Sequence, residues 1–407
     1  MATPTTTTLT TVPAGTAVFG QAVTLIAIVT PATYTTIPTG TVTFKDGATT
    51  LGTTALIGGG VAILSVTNLS VSGSPHSLTA VYSGDATYAT STSVPVTLTI
   101  TPAATTTNLT SSANPSVFGQ SVTFTATVTP TPPGGGTPTG SVTFTIDGTP
   151  QAPVPLVGNQ ASITLSSLSV GNHTVTATYT NSDGNYTGST SNTVTQVVGK
   201  ANTTTTLSSS PNPSTSGQTV TFTATVIPVS PGAGTPTGTV TFTIDGAPQA
   251  PVTLVGNTAT FTTSTLTSGT HTVTATYNGD TNFNSSTSNT VTQVVSATIN
   301  TALTATPAVI KLNVNTGQFF IPTLSATLTN TSTSAGIPGK TITFTANPLT
   351  GPVTLGTAVT DATGTATLTN VPVQATLITT DHYTATFAGD VNDSPATVTA
   401  TLTFQPL

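Results

Sequence analysis

Between residues 122 and 129 the chain alternates strictly. Val122, Phe124, Ala126 and Val128 are apolar, and Thr123, Thr125, Thr127 and Thr129 carry hydroxyls. A period of two places the two sets on opposite faces of an extended strand, one for a core and one for water. Threonine is β-branched, so it supports this backbone without adding charge. The same rule, or a run that ends in turn residues, covers "TTNLTSS" before this stretch. It also covers "SVTFTI", "APVPLV", "ASITLSSL", "HTVTATY" and "SNTVTQVV" after it. Seven short strands at 8–12-residue spacing predict an antiparallel β-sandwich of immunoglobulin type. No helical period competes with this pattern.

The pattern then recurs. "FGQAVT", "FGQSVT", "SGQTVT" and "TGQFFI" place glycines at Gly20, Gly119, Gly217 and Gly317, and "TGTVTF", "TGSVTF", "TGTVTF" and "GKTITF" follow at Gly40, Gly140, Gly238 and Gly339. A period of about 100 residues is far longer than a solenoid repeat, so each copy can close its own core. The expectation is an all-β chain of four tandem immunoglobulin-like, seven-stranded β-sandwiches in an extended array. The expected units are residues 1–101, 102–199, 200–297 and 298–407. "ITPAATTTNLT" and "VVGKANTTTTL" run from a last strand almost directly into a first strand, leaving little linker to flex.

The most repeated stretch carries a resemblance. It reads "HSLTAVYSGDATYATSTS" from His76, "HTVTATYTNSDGNYTGSTS" from His173, "HTVTATYNGDTNFNSSTS" from His271 and "DHYTATFAGDVNDSPATVT" from Asp381. Together with the upstream "P-x-G-x-V-x-F" and "D-G" elements, it resembles the bacterial Ig-like domain repeat family over nearly the whole chain. "GTAVTDATGTATLTNV" in the fourth copy is similar to the related invasin/intimin-type branch, and there Asp381 takes the place of the three histidines. The resemblance implies a stalk or adhesive scaffold of large secreted or surface-attached proteins. It names no ligand.

Composition narrows the role. Among 407 residues there are four lysines, ten aspartates, no arginine and no glutamate, so charged residues make up 3% against about 25% in an ordinary domain. The net charge of −6 offers no basic patch for phosphates and no polybasic segment for anionic lipid. Neither nucleic-acid binding nor membrane insertion is expected. With no cysteine, disulfide and thiolate chemistry are excluded. "VTLIAIV" is the longest apolar run and is far shorter than the roughly 20 residues of a spanning helix. "MATPTTTTLT" has neither the basic region nor the apolar core of a signal peptide. With no charged network in view, stability is expected to depend little on pH or salt.

Candidate chemistry is sparse. Asp85, Asp280 and Asp390 follow a glycine in the loop between the sixth and seventh strands, and one carboxylate per loop is turn chemistry rather than a calcium cage. Tyr82, Tyr179, Tyr277 and Phe387 read as core. Calcium could still bridge units if a turn of one met a loop of the next. The candidate pairs are Asp46 with Asp183, Asp147 with Asp280, and Asp245 with Asp390 and Asp393. No metal is assigned beyond that, and no cofactor is expected. His76, His173 and His271 stand where such sandwiches often hold a tyrosine corner, and read as imidazoles bonded to backbone. Lys–Asp or Lys–Asn isopeptide bonds fail as a general device, because the third unit has no lysine of its own once Lys200 is assigned to the linker. Thr–Gln esters would use Gln196 and Gln293, which read instead as exposed strand-face residues. No nucleophile elbow, phosphate loop, metal-ligand histidine pair or glutamate pair is present, so no enzyme is expected.

The reading is a non-catalytic extracellular or cell-surface protein: a semi-rigid stalk, spacer or fibre subunit. Its partners would be neighbouring Ig-like domains or identical subunits. The alternative is an adhesin that binds a glycan or protein through its loops. Tyr34 is the one aromatic standing alone in a variable loop, which favours the structural reading.

Overall fold

The computed structural model describes residues 2–33 and 36–406. Tyr34 lies outside the described residues. Alternation of threonine with apolar positions becomes strand everywhere. Val122–Pro130 buries Val122, Phe124, Ala126 and Val128 and turns Thr123, Thr125 and Thr127 toward the surface.

The first repeat contains β1 (Thr5–Val12), β2 (Thr16–Val18), β3 (Val23–Pro31), β4 (Thr41–Asp46), β5 (Thr49–Ala55), β6 (Val61–Val66), β7 (His76–Tyr82), β8 (Ser91–Thr92) and β9 (Val96–Thr101). One sheet has the order β1-β3-β6, and the other β2-β9-β7-β4-β5 with β8 beside β7. The entering strand therefore splits, β1 lying in one layer and β2 crossing to the other. There β2 pairs in parallel with β9, the strand that leaves the repeat. Seven predicted strands become nine through this split and the two-residue β8.

The second and third repeats keep the plan. Thr105–Ser111, Val122–Pro130 and Gln160–Leu165 make one layer of the second, and Thr203–Ser210, Val220–Pro228 and Thr258–Thr263 the same layer of the third. Their fourth strands shrink to Val154–Pro155 and Val252–Thr253, where the first repeat has the seven-residue β5. Pro150, Pro153 and Pro155, and Pro248 and Pro251, cannot donate to a ladder, so this edge breaks up.

In the fourth repeat Ala308–Asn313 pairs antiparallel with Gln318–Asn330 and parallel with Ala396–Phe404, which joins both layers into one eight-stranded sheet. A short 3₁₀ turn, Ala375–Thr379, buries Leu377 at the corner where the other repeats place a histidine.

Each core is built on aromatics at equivalent positions. Phe44, Phe124, Phe144, Phe222, Phe242 and Phe344 are fully buried, as are Tyr82, Tyr179, Tyr277 and Tyr383. Separate core clusters form around Phe44, around Phe124 and around Phe344. Contact density groups the chain into two compact units. One is Met1–Asn202 with the loops Pro228–Gly234 and Thr281–Asn284, and the other is Thr203–Ile227, Thr235–Asp280 and Ser285–Leu407.

Candidate functional site

Asp-Gly in "IDG" forces the first distinctive feature. Asp147 and Gly148, and Asp245 and Gly246, have positive φ (48° and 78°, 50° and 80°), the signature of a two-residue hairpin turn of the mirror-image type. The turn aims its carboxylate at the histidine that opens the sixth strand. His173 Nδ1 lies 2.7 Å from Asp147 Oδ2, and its Nε2 lies 2.9 Å from the Ser169 carbonyl. His271 repeats this with Asp245 at 2.7 Å and the Thr267 carbonyl at 2.8 Å, and His76 with Asp46 at 2.6 Å and the Ser70 carbonyl at 2.8 Å. The second carboxylate oxygen accepts the Ser77, Thr174 or Thr272 amide.

At His173 and His271 both ring nitrogens face acceptors, an arrangement that favours the doubly protonated ring. Two acceptors hold each ring above its ordinary pKa: the Asp147 carboxylate with the Ser169 carbonyl, and the Thr267 carbonyl with the Asp245 carboxylate. In return the histidine bonds hold Asp147 and Asp245 below the usual carboxylate range. The histidines bond to backbone as the sequence suggests. The aspartate partner goes beyond that reading.

Aspartates of the next loop act as turn caps. Asp85 accepts the Thr39, Thr87 and Tyr88 amides at 2.7–2.9 Å, and these backbone bonds hold its carboxyl far below the usual range. Asp280 accepts the Thr237 amide and hydroxyl. Asp183 accepts the Asn185 amide and the Thr139 hydroxyl. Its burial raises the carboxyl, but these bonds outweigh it and the net direction is down. Asp390 and the buried Asp393 share the Lys340 ammonium. Burial pushes the Tyr82 and Tyr179 phenols up to about 12, so both stay donors, to the Thr39 and Thr139 carbonyls at 2.6 Å.

Every calcium candidate is thus engaged inside its own repeat: Asp46, Asp147 and Asp245 with histidine, Asp183 and Asp280 with turn donors, and Asp390 and Asp393 with Lys340. Among the described residues no group of three or more His, Cys, Asp or Glu gathers as a metal would need.

Gln196 and Gln293 depart from expectation. Both are completely buried rather than on an exposed face. Gln196 Nε2 donates to the Ala113 carbonyl at 2.8 Å and Ser116 Oγ at 3.0 Å, and its Oε1 accepts from Ser111 Oγ at 2.7 Å. Gln293 Nε2 donates to the Pro211 carbonyl at 3.0 Å and Ser214 Oγ at 3.1 Å. Since the entering strand changes sheets here, polar backbone is left inside, and the carboxamides satisfy it.

Connecting residues are also built in. Ala103 is fully buried, donates its amide to Asn185 O and accepts from Thr187, both at 2.9 Å. Ala201 does the same with Asn282 and Asn284. Phe19 meets Tyr186 edge to face at 5.2 Å, and Phe118 meets Phe283 at 5.5 Å. A Cβ on Gly20 would lie 2.4 Å from Gly135 O, and one on Gly119 2.2 Å from Ala233 O. These corners need glycine. At Gly217 nothing lies within 4 Å, and Ser216 replaces the phenylalanine.

Sequence reasoning missed the Asp–His pairs, the aromatic corners and the buried carboxamides. The signals were recurrent offsets: "DG" to histidine, "FGQ" to the loop aromatic of the following repeat, and "NPS" with "TVTQVV" in the same two repeats.

The fold and these repeated corners define a tandem array of immunoglobulin-like sandwiches. The model of the bacterial Ig-like domain (group 3) matches residues 9–101, 109–199 and 207–296, and the chain belongs to that family. Residues 298–407 lie beyond those three matches. Among solved structures, the chain is similar to a tetra-tandem repeat in the extending region of a large adhesion protein (20% identity, 98% of this chain, 99% of that one, TM-score 0.28). It is also similar to the Escherichia coli adhesin FdeC (16% identity, 71% and 96% covered, TM-score 0.23). A third likeness is to the fibronectin(III)-like modules of Clostridium thermocellum CbhA (15% identity, 47% and 92% covered, TM-score 0.20). No curated protein matches. No helix among the described residues is long and apolar enough to cross a membrane.

Proposed function

We propose that this chain is a non-catalytic spacer or stalk segment of an extracellular or cell-surface protein, and that its partners are neighbouring Ig-like domains. The observation that carries the reading is the built-in connection. Ala103 and Ala201 are pinned by backbone bonds to the loops that follow them, so few soft dihedrals remain where flexible linkers would need them. Membership of a tandem Ig-like family and a surface of threonine in place of charge agree with a scaffold that sets distance. The chemistry of the site agrees as well, since the Asp–His pairs and the loop aspartates of the first three repeats hold turns.

Electron micrographs of the full chain test this. Elongated particles that shorten by about a quarter when residues 102–199 are deleted, one repeat in four at similar strand length, would support it. Compact particles, or a length indifferent to the deletion, would overturn it.

A further inference from the structure

In every repeat the entering and leaving strands lie side by side and parallel. Thr16–Val18 faces Thr99–Thr101, Ser116 and Val117 face Val198 and Gly199, Ser214 and Thr215 face Val295 and Ser296, and Ala308–Ile310 faces Leu402–Phe404. Tension on the two ends of a repeat draws two such strands in opposite directions along their length. All rungs between them are then loaded together instead of opening one by one.

The backbone ladder has two rungs in the second and third repeats and three in the others. A side chain supplies the missing rung. Asn114 Nδ2 donates to the Thr195 carbonyl at 2.8 Å, and Asn114 Oδ1 accepts the Val197 amide at 3.0 Å. Those are the two groups that flank Gln196, so the carboxamide stands where a peptide of a parallel strand would stand opposite it. Asn212 does the same around Gln293, with Thr292 O at 2.7 Å and the Val294 amide at 3.0 Å. Behind each, the buried glutamine ties the entering segment to the leaving strand through Ser116 or Ser214. In the first repeat Gly15 and Leu98 hold these positions, and the Gly15 carbonyl accepts the Thr99 amide directly.

We infer that this parallel pairing is a clamp that resists tension, completed in the second and third repeats by Asn114 with Gln196 and by Asn212 with Gln293, so that the chain acts as a tether under tension as well as a spacer. The inference rests on the spacer reading, and force tests it separately from length.

The experiment stretches the full chain between terminal cysteines added to a sequence that has none, and reads four unfolding events. In the double variant Asn114→Ala, Asn212→Ala, two events move to lower force, and unfolding at fixed load quickens about tenfold for each pair of bonds lost. The other two events stay at the wild-type force. A control variant, Ala161→Gly with Ala259→Gly in strands of the opposite layer, lowers thermal stability comparably and leaves all four forces unchanged. Equal force loss in both variants, or none in either, overturns the clamp. Elongated particles with wild-type forces in the asparagine variant would sink the clamp alone, whereas compact particles would sink the spacer.

Discussion

At Asp147 and His173 two opposite titrations meet. His173 is raised and Asp147 lowered, as are His271 and Asp245. A histidine raised by folding stabilises fully below its unfolded pKa of about 6.5, and that contribution is lost as pH rises through the higher folded value. An aspartate lowered by folding stabilises above about 3.9 and loses its contribution as pH falls through the lower folded value. Stability of these two repeats should therefore be greatest between about pH 4 and 6.5 and decline on both sides. This differs from the near-indifference to pH expected from composition, because few charges are present but several are paired. Thermal melts across pH 3 to 9 check it, and the double variant His173→Gln, His271→Gln should flatten the alkaline side. Asp147 is 48% exposed, so water screens the pair and its loss costs roughly 0.5–1 kcal/mol per repeat. The histidines were legible in the sequence as corner residues. Their partner was not, since Asp-Gly reads first as a turn and nothing local shows where a turn points.

At the scale of the element, strands and cores were legible because a period of two leaves one set of apolar positions to bury. Phe144→Ala should cost about 3–5 kcal/mol and remove one transition from a calorimetric scan while the other repeats melt as before. The splitting of the entering strand was hidden: neither "TTNLTSS" nor "SVFG" carries a mark of the sheet in which it lies. It decides where buried carboxamides are needed, so Gln196 and Gln293 could not be told from surface glutamines. The corners between elements give a paired prediction. Gly20 and Gly217 have similar φ, 79° and 83°, so alanine at either carries about 1–2 kcal/mol of left-handed strain. Only Gly20→Ala also strikes Gly135, so only it should speed hydrogen exchange at the Ala103 amide, by about tenfold or more. Equal exchange in the two variants would show that the corner does not hold the connection. With the acidic side chains engaged within their own repeats, melting temperatures in chelator and in millimolar calcium should coincide. A rise with calcium would support the bridging role instead.

For the whole molecule, the repeat period identified the fold class and the family, because four copies of one pattern leave little freedom in how a core can close. What it could not identify is a ligand, since the repeated residues serve turns and ladders. The proposed spacer role makes a demand on size above all. Strands of six to nine residues at about 3.3 Å each give sandwiches of roughly 40 Å, and four in series would reach on the order of 160 Å. Small-angle scattering of the dilute full chain measures this most directly. The account predicts a radius of gyration above roughly 40 Å, against about 22 Å for a globule of 407 residues. A value near the globular one would contradict it.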